Sequence, residues 1–133
     1  MTWGDLLAML PMLATAAGVV AVLACVAIRR NHIAVVAVTL VALTGAVASL
    51  PVASAWAPRQ GTPLLMIDGQ ALFYAGLFLA AAVVVTLISH AYLSGRAEFR
   101  EEYYALLLSV TLGAMVLAAS AHFASLFLGL ELM

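Results

Sequence analysis

The sequence predicts an all-α integral membrane protein, with four transmembrane helices and the start of a fifth. Apolar residues make up 67% of its 133 residues and charged residues only 8%, whereas soluble domains are about 45–50% apolar and about 25% charged. The mean hydropathy of +1.20 agrees with this class. Four apolar runs are each about 20 residues long, which at about 1.5 Å per residue covers the ~30 Å hydrocarbon core of a bilayer. The few polar residues could not surround a soluble core.

The helices are expected to form a single membrane domain, 1–133, with short polar breaks between them. The predicted helical ranges are 6–28, 33–56, 71–93, 103–121 and a partial helix at 122–133. Pro11 and Pro51 are expected to bend the first two helices, which neighbouring helices in a bundle can accommodate. Asp68 precedes the third helix, and we expect it to accept hydrogen bonds from the first backbone N–H groups of that helix.

Residue types exclude several functional classes. The formal net charge of −1 offers no basic surface for nucleic acid. Cys25 is the only cysteine, which excludes an internal disulfide or a cysteine-ligated metal, and the three histidines lack metal-site spacing. No nucleotide-binding glycine loop or catalytic triad is present, so we expect no bound cofactor, no metal and no catalysis by this chain alone. The first stretch carries Asp5 and no basic residue, so we expect a retained helix rather than a signal peptide.

The arginines predict the orientation in the membrane. Arg29 and Arg30 follow the first helix, and Arg96 and Arg100 follow the third, whereas the opposite side carries only Arg59. Because basic residues concentrate in cytoplasmic loops, the first and third breaks are predicted inside the cell and the N-terminus outside. Aromatic residues near the predicted helix ends agree, since their rings favour the membrane interface.

Glu131 is the strongest candidate functional residue, because it is the only acid inside an apolar run. If the fourth helix ends at the outer surface near Ala121, Glu131 lies roughly 13–14 Å deep, close to the bilayer midplane. A carboxylate there costs a few kcal/mol unless it is paired, hydrated or protonated. These properties suit a residue that binds and releases protons. The alternative is an acid near a frayed chain end that reaches water.

The histidines are weaker candidates. His122 stands at the turn before the partial helix, where it either has a structural role, capping a helix end or lying at the lipid interface, or belongs to a proton path, since histidine titrates near neutrality. His90 lies near the inner end of the third helix and is expected at the interface. His32 follows two arginines in a turn and is expected to be solvated.

Several stretches of the chain resemble one family of respiratory membrane subunits. These stretches are 102–108 with Gly113, 122–132, the outer loop 62–71, and the first apolar helix followed by 29–32. They are similar to the corresponding parts of subunit N of bacterial NADH-quinone oxidoreductase (respiratory complex I). The similarity over 122–132 is the most specific, whereas related antiporter-like subunits share the Asp-Gly of the outer loop.

The resemblance implies that the chain is the N-terminal part of an antiporter-like subunit in the bacterial inner membrane. It implies a contribution to the coupling of quinone reduction to proton pumping, with Glu131 as a proton-gating carboxylate that faces a lysine on a later helix. It also implies that other membrane subunits are partners, and that NADH, FMN, iron–sulfur clusters and quinone are bound by other subunits.

Two alternatives remain open. One is the homologous subunit of a cation/proton antiporter or of a membrane-bound hydrogenase. The other is a complete small membrane protein with a structural role. Further encoded helices with intramembrane lysines would favour a translocating subunit, and homologues of the same length would favour the structural role.

Overall fold

A computed structural model of the chain describes residues 3–28, 30–93, 95 and 100–133. Of these, 83% are helical, in six helices. Four helices are long and apolar enough to cross a membrane, which confirms the predicted fold class. The elements are α1 (Trp3–Ala8), α2 (Leu10–Ile28), α3 (His32–Trp56), β1 (Arg59–Thr62), β2 (Leu65–Ile67), α4 (Gly69–Leu93), α5 (Arg100–Ala118) and α6 (Phe123–Leu132).

The first predicted helix is divided in two. α1 ends at Ala8 and α2 begins at Leu10, immediately before Pro11. Proline has no N–H to donate to the carbonyl of Leu7, and its ring crowds that carbonyl. The interruption therefore falls beside the proline where a bend was expected. Pro51, by contrast, lies inside the uninterrupted helix α3.

The connection between α3 and α4 forms a short antiparallel hairpin of β1 and β2, which the sequence analysis did not predict. Strand β2 also pairs with the segment after α5. The Met66 N–H donates to the Ala119 carbonyl at 2.9 Å, and the Ala121 N–H donates to the Leu64 carbonyl at 3.0 Å. This pairing explains why α5 ends at Ala118 and not at the predicted residue 121.

Polar side chains set where two of the long helices begin. Asp68 caps α4 as predicted, because its Oδ1 accepts the Ala71 N–H at 2.7 Å. At the other end of the bundle, Asn31 caps α3 and its Oδ1 accepts the Ile33 N–H at 3.1 Å. Each cap satisfies a backbone donor that the helix itself leaves unpaired.

The core lies between α2, α3, α4 and α5. α2 packs against α3 and α5, and α4 packs against the same two helices. The largest fully buried side chains of the core include Tyr104, Leu43, Leu79, Leu108 and Met115. Where α2 meets α3, a Cβ added to Gly18 would lie 2.5 Å from the Ala42 Cβ, so small residues allow this close approach.

Three threonine hydroxyl groups inside the core donate to carbonyl groups of their own helices. Thr15, Thr39 and Thr86 are fully buried, and each donates to the carbonyl four residues earlier at 2.7–2.8 Å. This bonding lets a polar side chain lie in an apolar interior at low cost. The outward faces of the long helices carry exposed apolar side chains such as Val20 and Ile88. The chain thus has the architecture of a multi-pass membrane protein.

Candidate functional site on α6 and at the bundle ends

The two predicted site residues lie at opposite ends of α6. His122 immediately precedes the helix, and Glu131 is the last residue but one of the helix. They are nine positions apart in the chain, which corresponds to roughly 13 Å along a helix axis. The structure therefore does not bring these two side chains together, and the involvement of His122 in a proton path stays a prediction.

The start of α6 is organised by Ser125. The Ser125 Oγ donates to the Leu64 carbonyl oxygen at 2.7 Å and also lies 2.8 Å from the His122 carbonyl oxygen. It accepts the His122 N–H at 3.3 Å. Ser125 is only 3% exposed, so water does not compete for these contacts. The exposed His122 contributes its extended backbone, with φ −140° and ψ 152°, to this helix start.

Near its other end, α6 touches the backbone of α5. A Cβ added to Gly129 would lie 3.0 Å from the Leu117 backbone nitrogen and 3.1 Å from the Gly113 carbonyl oxygen. A Cβ added to Gly113 would lie 2.8 Å from the backbone nitrogen of Met133. Glycine at both positions is what allows this approach, as in other membrane helix pairs.

Glu131 points away from α5. It lies two residues beyond Gly129, which is about 200° around a helix of 3.6 residues per turn. Ala124 and Phe127 share this outer face, and all three residues are exposed. In the part of the chain that the structure describes, Glu131 forms neither an ion pair nor a side-chain hydrogen bond. A single carboxylate thus stands on an apolar surface, and its proton-gating role stays a prediction.

Polar rings that the sequence analysis did not connect meet at the opposite end of the bundle. The His32 and His90 imidazoles are stacked, with centroids 5.2 Å apart and planes 14° apart. The Tyr104 ring lies 5.8 Å from His32. The expectation that His32 is solvated is therefore wrong, because α4 and α5 bring these rings against it and leave it half-buried. His90 itself is exposed, in keeping with an interfacial position.

Two polar contacts tie the helices together near these rings. The Arg30 Nη2 lies 2.9 Å from the Glu102 Oε1, which joins the break after α2 to the start of α5. The Ser89 and Tyr103 hydroxyls lie 2.9 Å apart and join α4 to α5. Arg29 and Arg96, which the orientation argument also uses, lie outside the described residues.

Arg59 stands at the end of the bundle that holds the hairpin. Its Nη1 lies 3.3 Å from the Asp5 Oδ1, which ties β1 to α1. Its guanidinium carbon also lies 5.6 Å from the centroid of the Trp56 ring, a cation–π contact. The lone arginine of the predicted outer side is therefore held by an acid and an aromatic ring.

Recognisable binding sites are scarce over the described ranges. These ranges contain no cluster of three or more His, Cys, Asp or Glu side chains able to hold a metal ion. The Cys25 thiol is half-buried in α2 and is not in a disulfide. No protein-family model matches the chain. The carboxylate on α6 and the contacts that orient this helix remain the candidate site.

Proposed function

We propose that this chain is a membrane subunit of a proton-translocating NADH-quinone oxidoreductase and helps to couple quinone reduction to proton pumping. The observation that carries the proposal is Glu131, a carboxylate on the apolar outer face of α6. It lies within residues 122–132, the stretch that most closely resembles subunit N of that complex. Electron transfer belongs to other subunits, which bind NADH, FMN, iron–sulfur clusters and quinone.

A carboxylate at membrane depth is a candidate for proton movement. At membrane depth the ionised carboxylate costs a few kcal/mol relative to water, whereas the protonated form avoids this cost. A cation brought close to the carboxylate favours the ionised form instead. In the family that the chain resembles, a lysine on a later helix supplies this positive charge. Movement of that charge toward or away from Glu131 would release or bind one proton.

We place the chain in the bacterial inner membrane with its N-terminus outside. The contact between Arg30 and Glu102 indicates that the break after α2 and the start of α5 lie at the same end of the bundle. Arg59 and Asp5 meet at the hairpin end. In the sequence, four of the five arginines lie in the breaks after α2 and α4 or at the start of α5, and the positive-inside rule assigns these segments to the cytoplasm.

Native gel electrophoresis of the host's membranes tests this assignment. A tagged chain should migrate with the band that oxidises NADH, and deletion of its gene should abolish NADH-driven proton uptake by inverted membrane vesicles. For an antiporter subunit, the deletion would instead abolish cation-driven proton exchange and leave NADH oxidation intact. Unchanged NADH-driven proton uptake in the deletion strain would contradict the proposed function.

A further inference from the structure

We propose that Ser125 is a positioning residue that fixes the depth and rotation of α6, and with them the direction of Glu131, through its bond to the outer hairpin. The positional part of this inference rests on contacts alone. Its consequence for proton movement rests on the proposed function.

The first fixed point of α6 is the Leu64 carbonyl oxygen. It accepts the Ala121 N–H at 3.0 Å and the Ser125 Oγ–H at 2.7 Å, from either side of the turn that leads into α6. The Met66 N–H adds a further bond to the Ala119 carbonyl at 2.9 Å. The start of α6 is therefore bound to the hairpin, and not only to α5, from which the chain arrives.

The hairpin is itself firmly held. Ile67, at the end of β2, is only 1% exposed and belongs to the core. The next residue, Asp68, caps α4 by accepting the Ala71 N–H at 2.7 Å. The hairpin that carries the Leu64 carbonyl is therefore joined to the core and to the long helix α4.

The second fixed point of α6 is the contact of Gly129 with Gly113 and Leu117 on α5. Ser125 and Gly129 are four residues apart and lie on the same face of α6. Contacts at two points on one face oppose sliding and rotation of the helix. Glu131 lies two residues beyond the second point, so its direction on the opposite face is determined by these contacts.

An ordinary helix cap is the rival explanation for Ser125. Its contacts with the His122 N–H and carbonyl group are local and would serve only to start α6. The bond to Leu64 joins residues 61 positions apart, which a local cap does not require. If Ser125 is only a local cap, its loss should destabilise α6 alone. If its bond to Leu64 positions α6, its loss should also destabilise the hydrogen bonds between the hairpin and the segment after α5.

Amide hydrogen exchange of the full chain in lipid nanodiscs separates these roles. Ser125→Ala should accelerate exchange of the Ala121 and Met66 amides about fivefold, because a lost hydrogen bond of about 1 kcal/mol changes an opening equilibrium by that factor. Ser125→Thr keeps the hydroxyl and should keep exchange slow. The matched control is Ser120→Ala, since among the described residues the Ser120 Oγ donates only within its own turn, to the Leu117 carbonyl.

Unchanged exchange at Ala121 and Met66 in Ser125→Ala, or equal acceleration in Ser125→Thr, would overturn the proposal. In the host's membranes, Ser125→Ala should also lower the number of protons taken up per NADH oxidised, and Ser120→Ala should not. Faster exchange with an unchanged number of protons per NADH would show that Ser125 does not influence proton movement through Glu131. If NADH oxidation and proton uptake do not depend on the chain at all, the proposed function fails while the exchange result still decides the positional part.

Discussion

Gly113 and Gly129 face each other where α5 meets α6, and a Cβ added to Gly129 would lie only 3.1 Å from the Gly113 carbonyl oxygen. In a bilayer, lipid tails are as apolar as the helices, so helix association depends on close packing and not on hydrophobic burial. The pair of glycines provides such packing for the helix that carries Glu131. The placement of the candidate site therefore depends on two residues without side chains.

A single methyl group at position 113 should disturb this packing. Gly113→Ala places a Cβ within 3.0 Å of backbone atoms, which cannot move as a flexible side chain can. We expect the free energy of unfolding in detergent micelles to fall by about 1–3 kcal/mol, as in other overpacked interiors. The matched control is Gly45→Ala in α3, where a Cβ meets nothing within 4 Å. Equal effects of the two substitutions would show that the α5–α6 contact does not matter.

The cap of α4 gives a second prediction. Asp68→Ala removes the acceptor of the Ala71 N–H, and we expect a loss of about 1 kcal/mol in the free energy of unfolding. Asp68→Asn keeps a side-chain oxygen acceptor and should cost much less. Chemical unfolding followed by circular dichroism measures both. A charge-dependent contribution would appear instead as equal losses in the two variants.

Two adjacent tyrosines should respond differently to loss of their hydroxyl groups. Tyr104 is fully buried, and its hydroxyl has no hydrogen-bond partner in the part of the chain described. Tyr104→Phe should therefore leave the free energy of unfolding unchanged or raise it by about 1 kcal/mol. Tyr103→Phe removes the bond to Ser89 and should lower it by about 0.5–1.5 kcal/mol. A large loss in Tyr104→Phe would reveal a partner for that hydroxyl.

The orientation can be tested by labelling cysteines from outside the cell. In a Cys25→Ala background, Gln60→Cys on the hairpin should react with a membrane-impermeant maleimide in intact cells. Gly95→Cys should react only after the cells are permeabilised, since it lies in the predicted cytoplasmic break and its exposed position leaves room for a side chain. Labelling with the reverse pattern would show that the N-terminus lies inside.

The long helices and the Asp68 cap could be predicted because both depend on nearby residues. Bilayer thickness sets the length of an apolar run, and a cap needs only an acceptor three residues before its donor. Pro11 indicated a bend in the first helix, since its effect on the preceding turn is local, but the division into α1 and α2 was not predicted.

The hairpin, the Ser125 anchor and the stack of His32 on His90 depend on residues far apart in the chain. The helices are apolar on every side, so hydrophobic periodicity does not reveal which face each presents to its neighbours. His32 was expected to be solvated because its neighbours in the sequence are polar, whereas its ring contacts are with His90 and Tyr104, far away in the chain. Ser125 carries no local signal that distinguishes a bond to Leu64 from an ordinary helix cap.

Proton uptake by inverted membrane vesicles during NADH oxidation tests most directly whether Glu131 binds and releases protons. Glu131→Gln keeps the size of the side chain and removes its ability to bind a proton, so proton uptake per NADH oxidised should fall. Glu131→Asp should retain part of the proton uptake. Glu101→Gln makes the same chemical change in the first turn of α5 and should have no effect. Normal proton uptake in an assembled Glu131→Gln variant would contradict the proposed role of this residue.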